Sequence, residues 1–489
     1  MFVFFEILFF LCYLANLHSS VMNYAFIAIT MLALALSLYN IKFGLYIALS
    51  ELILGSKGYL LYYSTLHFKL SLRIAIFACV MFAWLISEIR NKNLKNIFKP
   101  LKDHKEIYFF SGFCLLGLIM AIISKNRLND IFFDFNGWLY LLYILPFANV
   151  FSKYSDFFDK FKKIAVAGLL TLCLKSFVFL FLMSHKFAYV DTLYRYGRDT
   201  LFGEFTAGIG FYRIFSQTHI FILIGLIACL TILFLFKKGS LKIYSNKLIL
   251  ALAIILFSVI LMSLSRSFWL SAALTGLILI IGAWLLKLAQ SKQTGKFLIL
   301  VLLISVVSAG LISYVVKFPF PEPLSNDALQ ALSNRFDANE AVSSRQNQIM
   351  PLLNKIKLHP ILGSGWGTLV TYESFDPRIV TAKNPKGEYT TFAFELGYLD
   401  LLLKFGLAGV LSFLYLICQL LIKIKKTAIN TTNEFDKYFL LGLLLGLVAL
   451  TITHAFSPYL NHPLGIGYII VLYTIIINLK LRPQNPVIH

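Results

Sequence analysis

Charged residues are scarce in this chain of 489 residues: they make up 14%, against 59% hydrophobic residues, and the mean hydropathy is +0.78. A soluble domain of this length would expose too much apolar surface to stay dispersed. Apolar runs of about 17–25 residues recur along the chain, which is the length that crosses a bilayer. The short alternating segments of a transmembrane β-barrel do not occur. The sequence therefore predicts an all-α polytopic integral membrane protein.

Cysteine and the common catalytic motifs are also sparse. All six cysteines fall inside apolar runs and none lies in the large polar loop, which argues against a disulfide framework or a thiolate metal site. The chain has no His-Glu-x-x-His, no aspartate pair at metal spacing, no Gly-x-Ser-x-Gly and no Walker loop. Metal-dependent and serine-nucleophile chemistry are therefore unsupported, and we predict no metal and no cofactor.

Acidic residues are few, 23 against 44 Lys and Arg, so the net charge is +21. A basic chain could bind nucleic acid, but here most lysines sit in short loops that alternate strictly with other loops. This is the positive-inside pattern, which signals topology and not a ligand, so we predict no nucleic-acid partner. The lysine-rich loops contain Lys92, Lys95, Lys99, Lys102 and Lys105; Lys153, Lys160, Lys162 and Lys163; Lys237, Lys238 and Lys242; Lys287, Lys292 and Lys296; and Lys423, Lys425 and Lys426.

The apolar runs predict about fourteen transmembrane helices and one large extracytoplasmic loop with short helices. The lysine pattern places both termini in the cytoplasm, and the first run has no basic n-region, so we expect a first span and not a cleaved signal peptide. Four regions follow: N-terminal helices 1–212, central helices 213–316, the large loop 317–395 and C-terminal helices 396–489. The predicted spans are 2–17, 21–39, 41–54, 72–90, 107–124, 136–152, 163–184, 213–236, 247–264, 268–286, 297–316, 396–421, 439–455 and 463–480.

Two arginines lie at the predicted outer face. Arg266 stands between Ser265 and Ser267 at the tip of a hairpin, where its planar fork of five donors suits phosphate or pyrophosphate. An interfacial arginine that reaches lipid headgroups has the same pattern. Arg213, which begins the predicted span 213–236, could form a second phosphate clamp.

The large loop carries the remaining candidates. Ser344 to Lys357 has the spacing of an amphipathic helix with Ser344 as its N-cap. Gly363, Gly365 and Gly367 predict a tight turn whose amides either approach a polar ligand or serve a structural role. Glu395 begins a helix that re-enters the membrane. Its carboxylate could act as general base for a sugar hydroxyl, or simply be a favourable charge at a helix N-terminus.

These motifs and their order resemble the O-antigen polymerase and ligase superfamily. The resemblance covers about Arg213 to Gly409. It rests on Arg213 opening a span, Arg266 in the Ser-Arg-Ser hairpin, and Arg345 with the glycine phrase 360–367 in a large external loop. The span that begins at Glu395 and contains Gly-Leu-Ala-Gly also fits. Before Arg213 the likeness is one of polytopic hydropathy alone.

The resemblance implies a metal-independent membrane glycosyltransferase that uses sugars carried on undecaprenyl diphosphate at the periplasmic face of the bacterial inner membrane. By that pattern Arg213 and Arg266 bind the pyrophosphate, with Arg345 as support. Ligases carry His-Asn-x-x-Leu and, after six intervening residues, Gly. In this chain Glu395 and Leu396 take the His and Asn positions, so the catalytic histidine of ligases is absent. This departure favours a polymerase and leaves Glu395 as the candidate base.

The resulting hypothesis is a polymerase that joins lipid-linked repeat units of a surface polysaccharide, an O-antigen or a capsule. Its expected partners are the lipid-linked donor and acceptor, membrane lipid, and a chain-length regulator and flippase of the same pathway. A ligase that moves glycan to another acceptor is the first alternative. A transporter of lipid-linked sugars is the second, although its polar residues should lie near the midplane. A non-catalytic assembly scaffold is the third.

Overall fold

A computed structural model describes residues 1–65, 69–185, 190–198, 204–207, 212–236, 243–319, 340–375, 379–381 and 384–481. The helices are α1 (Phe2–Asn16), α2 (Ser19–Tyr39), α3 (Ile41–Leu54), α4 (Leu72–Arg90), α5 (Lys105–Ile123), α6 (Leu128–Phe135), α7 (Ile144–Phe151), α8 (Phe157–Ser184), α9 (Val190–Tyr196), α10 (His219–Leu235), α11 (Ile243–Met262), α12 (Arg266–Leu285), α13 (Ser291–Lys317), α14 (Glu340–Ile356), α15 (Gly397–Asn430), α16 (Glu434–His454) and α17 (Pro463–Leu479). Three antiparallel hairpins join β1 (Tyr62–Ser64) to β2 (Lys69–Ser71), β3 (Glu204–Ala207) to β4 (Tyr212–Phe215) and β5 (Val370–Glu373) to β6 (Glu388–Thr391).

The protein is an all-α polytopic membrane protein, as the hydropathy predicts. Nine helices within the described residues are long and apolar enough to cross a bilayer, and four shorter apolar helices accompany them. The predicted total of about fourteen spans stays a prediction. Helix α17 is apolar on every side and is buried from Leu464 to Asn478, as expected of a helix at the centre of a bundle. The outward residues of α12 and α13 are exposed apolar side chains, as expected of a lipid-facing surface.

The predicted span 213–236 is wrong at its start. Tyr212–Phe215 forms strand β4, and α10 begins only at His219. The aromatic and branched residues of this segment suit a strand, and they pair with β3 so that Arg213 lies opposite Thr206. Between the strand and the helix, the backbone N–H of Thr218 donates a hydrogen bond to the Ser216 hydroxyl at 3.2 Å. This local turn competes with helix formation.

Loop ends that the sequence assigns to the cytoplasmic side meet one another in the structure. Lys423 Nζ lies 2.6 Å from Glu106 Oε1, and Lys480 Nζ lies 3.2 Å from Asp103 Oδ2. Lys162 Nζ likewise contacts Asp436 Oδ1 at 2.6 Å, between helices α8 and α16. The alternation of loops between two ends of the bundle is thus consistent with the fold. Which end faces the cytoplasm stays a prediction.

The large loop contains helix α14 and the hairpin β5–β6, while its residues 320–339, 376–378 and 382–383 lie outside the described residues. The predicted helix 344–357 begins earlier, at Glu340, so Ser344 is not its N-cap. On its inner side, Leu352 and Ile356 of α14 pack with Val370, Phe394 and Leu403 in a small separate core.

Candidate functional site

Arg213 contacts both the connection between α11 and α12 and an aromatic ring of its own strand. Its Nε donates to the backbone carbonyl of Ser263 at 2.9 Å, and its Cζ lies 5.0 Å from the centroid of the Phe215 ring. Ser263 belongs to the connection between α11 and α12, so strand β4 is tied to the hairpin that carries Arg266. This contact joins two parts of the sequence that are 50 positions apart.

Arg266 is the first residue of α12 and is half-buried. The chain reverses just before it, with Leu264 in the left-handed region at φ 45°, and the hydroxyls of Ser265 and Ser267 lie 3.1 Å apart. The positive charges of Arg345 and Arg213 both act electrostatically on Arg266. Three arginines from distant parts of the chain therefore share one region.

Arg345 and Glu395 form an ion pair. Arg345 Nε lies 2.6 Å from Glu395 Oε2, and the Glu395 side chain is 51% exposed. Helix α14 makes a second contact with Glu395, because the backbone N–H of Glu395 donates a hydrogen bond to the side-chain carbonyl of Gln348 at 3.3 Å. Helix α14 thus positions both a cation and the carboxylate, and more than half of that carboxylate remains open to a ligand.

The four charged residues predicted from sequence come together in what we call the arginine cluster, formed by Arg213, Arg266, Arg345 and Glu395. Three guanidinium groups against one carboxylate leave a net charge of +2. Guanidinium forks bind phosphate oxygens by paired, charge-assisted hydrogen bonds. The cluster therefore has the chemistry of a diphosphate site with one carboxylate beside it.

The glycine turn is held by hydrogen bonds within the protein. Gly363, Gly365 and Gly367 have φ of 74°, 80° and 72°, a region that favours glycine. The turn amides are used inside the protein: Gly363 donates to His359 O, Ser364 to Leu403 O, Gly365 to Lys404 O, Trp366 to Gly117 O and Gly367 to Asp134 Oδ2. These internal hydrogen bonds favour the structural alternative for the turn. Proximity of the turn to substrate stays a prediction.

Helix α15 is broken, which the predicted continuous span 396–421 did not anticipate. Gly406 interrupts it with φ 64° and ψ −172°. The orphaned amides after the break, on Leu407 and Ala408, donate to the carbonyls of Pro360 and Ile361 at 2.8 and 3.1 Å. The carbonyls before the break accept the turn amides described above. The glycine turn and Gly406 are thus one unit, in which a loop supplies the hydrogen bonds that a continuous helix would have made.

A buried charge network lies beside this break, and the sequence analysis missed it. Lys404 Nζ contacts Asp134 Oδ1 at 2.6 Å and Asp400 Oδ1 at 2.7 Å, and all three side chains are at most 7% exposed. Asn461 Nδ2 donates to Asp400 Oδ2 at 2.5 Å. One signal was available: Asp400 and Lys404 stand four residues apart in an apolar run, where ionisable residues are rare and pair with one another.

No metal-ligand set is present in the described part of the chain, where no three His, Cys, Asp or Glu side chains are grouped to hold an ion. The polar chemistry near Glu395 is that of arginines, one exposed carboxylate and the buried network. Such an arrangement can bind a diphosphate and orient a hydroxyl beside it.

Comparison with known proteins gives one match. No curated protein matches the chain. The model of the family described as O-antigen ligase matches residues 250–414, about a third of the chain. The matched segment includes Arg266, Arg345, the glycine turn and Glu395, whereas Arg213 precedes it. Residues 250–414 thus carry an O-antigen ligase domain, which supports the O-antigen ligase and polymerase superfamily, and in this multi-pass membrane protein the domain implies a glycosyltransferase-like enzyme of O-antigen processing.

Proposed function

We propose that the protein polymerises undecaprenyl-diphosphate-linked repeat units of a surface polysaccharide at the extracytoplasmic face of the inner membrane. The observation that carries the proposal is the arginine cluster, in which Arg345 pairs with the exposed Glu395 carboxylate and the charges of Arg345 and Arg213 both act on Arg266. A lipid-linked sugar offers the matching groups, a diphosphate next to a reacting anomeric carbon.

The proposed reaction follows from these charges. The growing chain on one lipid diphosphate is the donor, and a hydroxyl of the next unit attacks its anomeric carbon. The bond between that carbon and the diphosphate oxygen breaks, and negative charge develops on the leaving group. Arg213 and Arg266 stabilise that charge, since donors fixed where charge develops lower the barrier most. No metal takes part in this scheme.

Glu395 stands where it can accept a hydrogen bond from the attacking hydroxyl. Arg345 holds one of its oxygens at 2.6 Å, which fixes the direction of the carboxylate, while half of the side chain remains exposed. A general base must lie within hydrogen-bond reach of the proton that it accepts. We therefore propose that Glu395 orients the acceptor hydroxyl and takes its proton, with Arg345 as a positioning residue.

A ligase is the second candidate, favoured by the description of the matching family. The two activities differ in the acceptor. With lipid-linked repeat unit as the sole substrate, a polymerase forms a ladder of longer lipid-linked chains, whereas a ligase forms none until a separate acceptor is added. We expect a ladder. Products that appear only with the second acceptor would replace the polymerase proposal with the ligase.

Arg266→Lys tests the diphosphate clamp because it keeps the charge and removes the bidentate fork. A lost charge-assisted hydrogen bond costs about 1.5–3 kcal/mol, so we expect a roughly ten- to hundredfold loss of polymerisation rate. Arg213→Lys should behave similarly. Arg90→Lys is the matched control, since Arg90 is exposed at the end of α4, in the lysine-rich part of the sequence. Full polymer length in both cluster variants would show that these arginines only anchor the interface.

Glu395→Gln tests the carboxylate because it preserves shape and removes charge. We expect a normally folded protein that leaves mostly single repeat units. Glu388→Gln, on the exposed strand β6 of the same loop, is the control and should give wild-type polymer. Glu395→His restores the residue type of ligases and should retain part of the activity. Normal polymer from Glu395→Gln would remove the proposed base. The alternatives would then be Asp400, which is buried, Glu373, which is exposed, Asp376, which lies outside the described residues, or a mechanism that needs no side-chain base.

A further inference from the structure

The connection between β4 and α10 joins the strand of Arg213 to a buried histidine. His219 is the first residue of α10, and its side chain is fully buried. The backbone N–H of Ser216 donates a hydrogen bond to its Nδ1 at 3.3 Å, and its Nε2 lies 3.1 Å from Ser176 Oγ of α8. The ring therefore ties the end of β4 to a long helix of the bundle.

These partners fix the tautomer of the His219 ring. A backbone N–H can only donate, so Nδ1 must be the unprotonated nitrogen and Nε2 must carry the hydrogen. Ser176 Oγ donates to Leu172 O at 2.8 Å, which leaves its lone pairs to accept from Nε2. His219 is therefore neutral, and both of its ring nitrogens are satisfied inside the protein.

The turn that His219 closes is also held by hydroxyl groups. Ser216 Oγ accepts the backbone N–H of Thr218 at 3.2 Å and lies 3.2 Å from Ser56 Oγ, just after α3. All three side chains are buried. The backbone at 216–219 is therefore anchored to two other parts of the chain, namely α8 and the connection after α3.

Aromatic contacts lead from this turn to the arginine cluster. The Phe215 ring lies 6.2 Å from the His219 ring and 5.8 Å from the Phe268 ring, measured between centroids. Phe268 follows Arg266 by two residues in α12. On the same Phe215 ring lies the guanidinium of Arg213, with Cζ 5.0 Å from the centroid. A shift of the turn would therefore move the ring on which Arg213 rests.

We propose that His219 is a positioning residue for the diphosphate clamp. By accepting the Ser216 N–H it fixes the turn and, through Phe215, the direction of the Arg213 guanidinium. This inference rests on the proposed function, in which Arg213 binds the diphosphate of the lipid-linked sugar. Because the ring is fully buried, it acts without touching the substrate. A displacement of about 1 Å far from the chemistry can cost about a hundredfold in rate, so such a bond matters to the clamp.

Two amide variants separate the two hydrogen bonds of the ring. In His219→Asn the side-chain oxygen takes about the place of Nδ1, so the Ser216 N–H keeps its acceptor and the contact with Ser176 is lost. In His219→Gln the longer amide reaches Ser176 with its nitrogen and leaves the Ser216 N–H without an acceptor. Both variants remove the ring, so their difference reports on the Ser216 bond.

Binding of undecaprenyl diphosphate to the full chain in lipid nanodiscs measures the clamp directly. We expect His219→Gln to weaken binding roughly tenfold and His219→Asn to stay within about twofold of the wild type. Ser176→Ala is the matched control. It removes the other bond of the ring, so it should lower the melting temperature and leave binding unchanged. Equal weakening by the Gln and Asn variants would overturn the inference.

A double-mutant cycle separates positioning from general stability. If His219 acts through the Arg213 guanidinium, His219→Gln should weaken binding no further in a protein that already carries Arg213→Lys. A purely structural role would lower binding by the same factor in both backgrounds. Such additive effects would overturn the inference.

Ser216→Ala provides a second test if His219→Gln does not fold. It keeps the N–H that His219 accepts and removes only the hydroxyl that holds the same turn. We expect binding about two- to tenfold weaker, the effect of a neutral hydrogen bond, and no further loss on top of Arg213→Lys. Unchanged binding would show that the turn does not direct Arg213 and would overturn the inference.

Failure of the proposed function has a different signature. It would appear as a wild-type protein that does not bind undecaprenyl diphosphate, or as Arg213→Lys binding as tightly as the wild type. Either result removes the clamp, and the positioning role of His219 falls with it. If Arg213→Lys weakens binding but His219→Gln does not, the positioning role alone is overturned.

Discussion

Replacing Gly365 by alanine tests whether the glycine turn stabilises the break in α15 through its packing on helix α5. At this residue φ is 80°, and an added Cβ would lie 2.1 Å from the Ala121 amide nitrogen and 2.5 Å from its Cα. These are backbone atoms of helix α5, which cannot move aside as a flexible side chain would. The turn must therefore shift away from α5 or the helix must bend.

The expected loss in the free energy of unfolding follows from the strain at residue 365 and from the contacts that such a shift breaks. A left-handed conformation costs a residue with a side chain about 1–2 kcal/mol, and overpacking adds about 1–3 kcal/mol. The hydrogen bonds from Gly365 to Lys404 O and from Trp366 to Gly117 O contribute about 0.5–1.5 kcal/mol each. The lower bounds together give a loss of at least about 3 kcal/mol in the free energy of unfolding.

Thermal unfolding of the purified protein in detergent, followed by circular dichroism, measures this loss. Gly365→Ala should lower the melting temperature by several degrees. Gly310→Ala is the matched control, because that glycine lies in helix α13 with no atom within 4 Å of an added Cβ. Its melting temperature should be unchanged or slightly raised, since alanine is the better helix former.

A melting temperature for Gly365→Ala equal to that of the wild type would refute the reasoning. It would mean that the turn can be displaced without loss and does not brace the break in α15. Because that helix follows Glu395 directly, we also expect Gly365→Ala to shorten the polymer. A destabilised variant that still makes full-length polymer would show that the turn stabilises α15 but is not needed for polymerisation.

Two further predictions follow from the buried network and the topology. Lys404→Met leaves the buried carboxylates of Asp134 and Asp400 without their cation, so it should lower the free energy of unfolding by about 3–5 kcal/mol. Adding Asp134→Asn and Asp400→Asn should recover part of the lost melting temperature. No recovery would contradict the electrostatic cause. For topology, a membrane-impermeant maleimide applied to spheroplasts should label Lys357→Cys and spare Lys95→Cys, and labelling at position 95 would reverse the orientation.

Much of the architecture could be predicted from sequence because membrane spans have a strong local signal. Length and hydropathy alone predicted helices near the observed ones, from Phe2 to Leu479. The arginines of the cluster were also found, since guanidinium groups in serine-rich or loop contexts at one face carry a recognisable chemistry. Glu395 was found through its register in the family pattern.

The remaining features depend on contacts between distant segments. The residues around Arg213 suit a strand but also continue the apolar run of the next helix, and the pairing of Arg213 with Thr206 decides between the two. The break at Gly406 is stable because Pro360 and Ile361 supply acceptors from a loop. Broken helices are typical of transporters, but here the freed backbone groups bind protein and not an ion.

The contact of Asp134 also joins distant segments. This residue lies 270 positions before Lys404, and its partner could not be identified without the fold.

The break in α15 has a consequence for the lipid environment. The part after Gly406, residues 407–430, has 24 residues and a length of about 36 Å, enough to cross a bilayer unaided. The part before the break is braced by a loop and by helix α5, so it is not needed for spanning. Changes in bilayer thickness tilt or strain spanning helices. Such changes would tilt or strain residues 407–430, whereas contacts within the protein would set the position of Glu395 relative to the three arginines. The protein can thus keep one reaction geometry in membranes of different thickness.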